Sequence, residues 1–163
     1  MCEPDPSAKK DLNENLDILK RIFKNIKFQF ISEPISNGNA VTKNPTIYGH
    51  PVYSYEKNNI DLAGNKKKFL ESTKVDNLVK KFKLKPTFIK IDVEGAEYAI
   101  LQGMSDILKN CKPLIMLEKH PTLIPKNISI NDINNFLEKR GYKVESVIFQ
   151  DDIAITEVWK SYS

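Results

Sequence analysis

The chain has 163 residues, 40% of them hydrophobic, which is enough for one domain with a real core and too few for two ordinary ones. Twenty-five basic against 21 acidic side chains leave a formal charge of +4, spread thinly except at Lys66, Lys67 and Lys68, so no nucleic-acid partner is expected. With no signal-peptide pattern and no apolar run near the ~20 residues of a membrane span, a soluble cytoplasmic protein without a membrane partner is expected.

Asp5-Pro6 sets a capping side chain before proline at the first helical position. Ala8, Leu12, Leu16, Leu19 and Phe23 then share one face, which predicts an amphipathic helix. Ile26, Phe28 and Phe30 alternate with Lys27 and Gln29, which predicts a strand over 26–31. The region from Ser36 to about Lys68, rich in Asn, Gly, Pro and Lys, reads as loop with a short strand near Val52 to Tyr55. Val75, Leu78, Val79 and Phe82 give a short helix that Pro86 stops, and Phe88 to Val93, apolar on both faces, predicts a strand inside a parallel sheet. After Gly95 a helix carries Ile100, Leu101, Met104, Ile107 and Leu108 and ends before Pro113, where Leu114 to Leu117 begins another buried strand. Strand, helix, strand implies a right-handed parallel crossover. Ser129, with Asp132 three residues on, caps a helix that uses Ile133, Phe136 and Leu137 and that Gly141 closes. Lys143 to Phe149 and Ile153 to Val158 flank Gln150-Asp151-Asp152 as an antiparallel hairpin would. The sum is an α/β chain, without repeats or linkers, read as a single domain over 1–163. Cys2 and Cys111 read as free thiols of a reducing compartment, with no disulfide framework.

This order gives an address to the three carboxylates of FIKIDVEGAEYAILQG, residues 88–103. Ligands of open parallel sheets bind beyond the carboxyl ends of the strands. Asp92 and Glu94 fall there, and Glu118 and His120 fall at the corresponding end of the next strand, so all four are expected on one rim. Plainer roles compete: Asp92 as a cap of the following helix, and Glu97 as a solvated acid on its first turn. Gly95 suits a sharp strand-to-helix turn that needs positive φ or a close approach. A nucleotide switch is excluded, because no G-x-x-x-x-G-K-[ST] loop exists to cradle phosphates. Asp92, Glu94, Glu118 and His120 carry hard ligand atoms suited to magnesium, but no spacing demands a metal and none is expected.

Three stretches, FIKIDVEGAEYAILQG, PLIMLEKHP and FLEKRGYKV, together resemble the FkbM family of S-adenosylmethionine-dependent methyltransferases. The similarity extends to EPDPSAKKDLNENL, like the segment after that family's second strand, and to TKVDNLV, where Lys74-Val75 replaces part of a Thr-Leu-Asp; residues 37–68 match poorly. The resemblance implies a Rossmann-like class I methyltransferase fold, a mostly parallel sheet ending in an antiparallel hairpin. It also implies methyl transfer from S-adenosylmethionine to a hydroxyl on a small-molecule or glycan acceptor, often a sugar or secondary metabolite. Such a hydroxyl loses its proton as the new bond forms, to a carboxylate or imidazole at the rim. The resemblance puts Asp92 beneath the sulfonium end of the donor and makes it the first choice of base, with Glu94, Glu118 and His120 in reserve; a structural strand-end pair is the alternative for the last two. Glu3, at the end of the second strand, would hold both ribose hydroxyls, its alternative being a solvated acid at a frayed terminus. Ile35 and Ser36 would lie beside the adenine, although Glu33-Pro34 departs from the small residues expected there.

The family's first strand and its glycine-rich turn are not in this sequence, and no G-x-G occurs in it. The domain is therefore expected to be incomplete at its N-terminus, as a piece of a longer polypeptide, the product of a misassigned gene start, or a remnant. The remnant supplies an alternative function, a non-catalytic module that binds a ligand or partner.

Overall fold

In a computed structural model, which describes residues 6–29, 31, 33–38, 41–43, 53–54 and 69–162, the first element is helix α1 (Pro6–Ile22). Of its apolar stripe, Leu16 is buried, Leu12 and Leu19 are half-buried, and Phe23, just past the helix, is exposed. Asp5, Lys66, Lys67 and Lys68 lie outside the described residues, as does Cys2; Cys111 is a half-buried free thiol.

The strand expected over 26–31 is not formed among the described residues. Residues 26–29 are irregular and Ile31 is a lone bridge position. Alternation specifies a strand only when a neighbour takes up its backbone groups and one of its faces, and Ile26 is 53% exposed. The region expected as loop holds two very short strands, β1 (Val41–Lys43) and β2 (Tyr53–Ser54), and a third, β3 (Phe69–Leu70), lies just past its end; they pair antiparallel in the order β2-β1-β3. β2 falls within the short strand expected near residue 53. Pieces of two or three residues are too short to display a period, which is why the others were not legible.

Helix α2 (Val75–Lys81) follows, with Leu78 buried. It has a second duty, because its Asp76 carboxylate accepts the N–H groups of Asp106 (3.0 Å) and Ile107 (3.0 Å), and so caps a helix 30 residues further on.

The main sheet begins with β4 (Phe88–Asp92) and continues, after a crossover, with β5 (Leu114–Lys119), paired parallel from Phe88↔Leu114 to Asp92↔Glu118. The crossover is two helices rather than the one expected, α3 (Glu97–Gln102) and α4 (Ser105–Asn110). At the break, a Cβ on Gly103 would stand 2.1 Å from the carbonyl oxygen of Ser36, so glycine is what lets the two backbones meet. Helix α5 (Ile130–Glu138) starts on the expected box: Ser129 accepts from the Asp132 N–H, and Asp132 accepts from the Ser129 N–H. The chain closes in the expected hairpin, β6 (Tyr142–Gln150) and β7 (Ile155–Ser161). Ile153 sits in its turn rather than its strand, because Asp151 Oδ1 accepts the N–H groups of both Ile153 and Ala154.

Strand order is β4-β5-β7-β6, with β5–β7 and β7–β6 antiparallel, so among the described residues the sheet is mixed rather than mostly parallel. Its covered face supplies Ile91, Ile115, Leu117 and Trp159, packed with Leu101, Met104 and Leu108 of the crossover and Ile133 and Leu137 of α5. β4 was expected to be buried on both faces. Only one is covered by the described residues: Ile91 is 2% exposed, whereas Phe88 and Leu114, at the start of the open face, are 53% and 36% exposed. No helix among the described residues is long and apolar enough to cross a membrane.

Candidate active site at the strand ends

The parallel register sets Asp92 opposite Glu118 at the carboxyl ends of β4 and β5, on the face left open. The chain then turns sharply through Glu94 (φ 51°) and Gly95 (φ 98°). A Cβ on Gly95 would lie 2.3 Å from the Leu123 carbonyl oxygen, so this turn requires glycine on both counts, its left-handed φ and its close approach. The turn carries Glu97 into the interior, where the Gly95 N–H donates to Glu97 Oε1 at 2.9 Å.

Glu97 is therefore not the solvated first-turn acid expected. It is fully buried, and its Oε1 lies 3.0 Å from His120 Nδ1. Nor does Asp92 cap α3, whose N-cap is Ala96 with no side-chain bond. Asp92 Oδ2 instead accepts from Lys90 Nζ at 2.8 Å, two residues back on the same face of the strand.

His120 is 5% exposed, with its other nitrogen turned to the rim. Nε2 faces Glu118 Oε1 at 3.5 Å, Glu94 Oε2 at 3.6 Å and Asp92 Oδ1 at 4.0 Å. The four residues expected to converge do so around one imidazole. A fourth acid, Glu97, fixes that ring from behind, and its Oε2 is buried without a hydrogen-bond partner among the described residues. The only advance signal for Glu97 was its place two residues after a glycine needing positive φ, where the chain doubles back.

Burial pushes the Glu97 carboxyl above the usual range, against the pull of the Gly95 N–H and His120. Burial pulls His120 down, but the Glu97 bond and the charges of Glu94, Glu97 and Asp92 outweigh it, and the imidazole is held above its usual 6.5. Both shifts are upward, so the folded pair retains protons that the unfolded chain would release. Stability from the imidazole is therefore full below pH 6.5 and is lost as pH rises through its folded value, and stability from Glu97 is lost as pH rises from the ordinary glutamate value of 4.5. In a chelator-containing buffer the melting temperature should accordingly decline as pH rises above 6.5, and Glu97→Gln should flatten that decline. Calorimetric melts of both proteins across pH check this; an unchanged slope in the variant would detach the pair from the response.

Ile35 bridges Thr73, and Ser36 is buried, its hydroxyl paired with that of Ser72 and accepting the Gly38 N–H at 3.2 Å. Ser36 thus has no idle hydroxyl to offer an adenine, although its backbone lies at the α3–α4 break. Glu3 is outside the described residues.

Residues 1–144 match the family described as Methyltransferase FkbM domain. The fold is similar to the crystal structure of methyltransferase FkbM from Methylobacillus flagellatus KT, with a TM-score of 0.59 and 16% identity over 98% of this chain and 35% of that one. This chain therefore spans about a third of the length of that protein. A search of curated proteins found no match. The family match takes in β4, β5, the crossover between them and the whole acidic rim, and on that ground the chain belongs to the FkbM methyltransferase domain family.

Proposed function

We propose that this chain serves an S-adenosylmethionine-dependent methyltransferase of Rossmann-like class I fold, which methylates a hydroxyl on a small molecule or glycan. The observation that carries the reading is the gathering of Asp92, Glu94, Glu118 and His120 at the carboxyl ends of two parallel strands within a methyltransferase-family domain. A parallel pair that runs on into an antiparallel hairpin also supports the class I assignment.

The donor fits this rim by charge, since a sulfonium is a cation and the rim is a ring of carboxylates. When bound, S-adenosylmethionine supplies an electrophilic methyl group. Asp92 would lie beneath that end, Glu3 would take the ribose hydroxyls, and the backbone of Ile35 and Ser36 would flank the adenine. The protein's own work is to hold the acceptor oxygen in line and to take its proton. Asp92 Oδ2 is held by Lys90, which leaves Oδ1, the oxygen turned toward His120, to accept that proton. Glu97 fixes the imidazole, and Glu94 and Glu118 keep the rim negative.

The test is transfer of a labelled methyl group from S-adenosylmethionine to a panel of sugars and hydroxylated metabolites, using this chain and the longest polypeptide its gene encodes. Label recovered in an alkali-stable ether supports the proposal. Donor binding without transfer to any acceptor would favour the ligand-binding alternative, and absence of donor binding to the longest polypeptide would overturn the methyltransferase reading.

A further inference from the structure

Among the described residues, the rim gathers more carboxylates than cations. Asp92, Glu94 and Glu118 face His120 Nε2, and the ammonium beside them, that of Lys90, is spent on Asp92 Oδ2. If a protonated imidazole alone were the counter-charge, one carboxylate oxygen should close on Nε2 to a charge-assisted distance of about 2.7 to 2.9 Å. None does. The three oxygens stand back at 3.5, 3.6 and 4.0 Å, around a nitrogen whose residue is 95% buried and which is aimed between them. The ligand atoms of Asp92, Glu118 and His120 all lie within 4.8 Å of one another. Metal–donor bonds of about 2.0 to 2.2 Å set neighbouring ligands roughly 3 Å apart and opposite ones roughly 4.3 Å apart. The observed gaps are therefore those of a ring that closes on an ion by small side-chain movements.

We propose that Asp92, Glu118 and His120 form a binding site for a divalent first-row transition metal, Mn²⁺ or Zn²⁺, with Glu94 beside it. Two oxygen donors and one imidazole favour these ions over Ca²⁺ and Mg²⁺, which prefer an all-oxygen shell. Glu97 completes the case from outside the ring. Ligating histidines characteristically give their second nitrogen to a carboxylate that fixes tautomer and orientation, and the buried Glu97 Oε1 holds Nδ1 at 3.0 Å. Sequence spacing did not demand a metal because the three ligands come from the ends of two strands and the turn beyond; the parallel register brings them together. Resting on the methyl-transfer reading, the ion would acidify the acceptor hydroxyl, and Glu94, 56% exposed, would remain to receive its proton.

The experiment titrates the chelator-stripped full chain with Mn²⁺, Zn²⁺ and Ca²⁺ separately, following heat and, for Mn²⁺, the loss of the free-ion paramagnetic resonance signal. One equivalent of Mn²⁺ or Zn²⁺ should bind with a micromolar dissociation constant, and Ca²⁺ at least tenfold more weakly. His120→Ala, Asp92→Asn and Glu118→Gln should each weaken Mn²⁺ binding tenfold or more, and Glu97→Gln by about 10- to 100-fold. Asp17→Asn, on the surface of α1, should leave it unchanged. Asp92 and Glu118 are partly exposed, so their neutral variants keep the test decisive if His120→Ala fails to fold. No saturable binding of either transition ion at millimolar concentration would overturn the site, as would Ca²⁺ binding as tightly as Mn²⁺, or retention of affinity within threefold in both carboxylate variants. Metal binding without methyl transfer would retain the site and sink the methyltransferase reading; chelator-insensitive transfer without metal binding would do the reverse.

Discussion

Asp92→Asn is expected to lower methyl-transfer turnover by about 10²- to 10⁴-fold, the usual cost of removing a general base, and to lower donor affinity far less. The substitution is close to isosteric, and an asparagine carbonyl can still accept from Lys90 where Asp92 Oδ2 does now. The lost negative charge is therefore the main change. If Asp92 takes the acceptor proton directly, no added ion should restore turnover. If it instead holds a metal that acidifies the hydroxyl, saturating Mn²⁺ should recover part of the loss, because the other two ligands remain. Turnover and calorimetric donor affinity, measured with and without Mn²⁺, separate the two roles. Turnover within a few-fold of the parent would remove Asp92 from the chemistry altogether.

That the rim was legible in advance follows from how its strands are written. β4 and β5 are apolar runs bounded by Pro86, Gly95 and Pro113, so their carboxyl ends could be located by counting, and the acids placed on them. The cap of α5 was legible for a similar reason, as Ser129 and Asp132 satisfy each other within one turn. What stayed hidden depends on residues far apart. Glu97 is buried because His120, 23 positions on, meets it there. Asp76 caps α4 across 30 positions, and nothing local to either segment announces it. The segment over 26–31 fails in the opposite sense: its alternation is plain, but no described neighbour turns it into a strand. The balance of parallel and antiparallel pairs was also out of reach. It turns on β7 entering between β5 and β6, a choice of neighbour that strand periodicity does not encode.

On the covered face of the same strand end, Glu157→Ala is expected to lower the unfolding free energy by about 3 to 5 kcal/mol, the usual cost of stranding one member of a buried ion pair. Lys119 is 1% exposed, and its ammonium lies 2.7 Å from Glu157 Oε2 on the neighbouring strand. The same oxygen accepts the Trp159 indole N–H at 2.9 Å, and Asn134 of α5 takes a further Lys119 proton at 3.0 Å. Removing the carboxylate leaves a buried charge with only a neutral amide oxygen and a ring face, and leaves the indole N–H without its acceptor. For a chain of this length the melting temperature should fall by roughly 10 °C. The double variant Lys119→Met with Glu157→Leu should regain most of the loss, because a packed apolar pair often replaces a buried ion pair at little cost. Urea denaturation of the parent, the single and the double variant decides it: a single-variant loss under 1 kcal/mol would deny the pair its role, and a double variant no better than the single would assign the loss to packing. Lys119 and Glu118 are consecutive on β5 and so face opposite sides of the sheet. Metal affinity at the rim should therefore survive in the double variant, which would show that the ion pair holds the strand end in place without taking part in what that end binds.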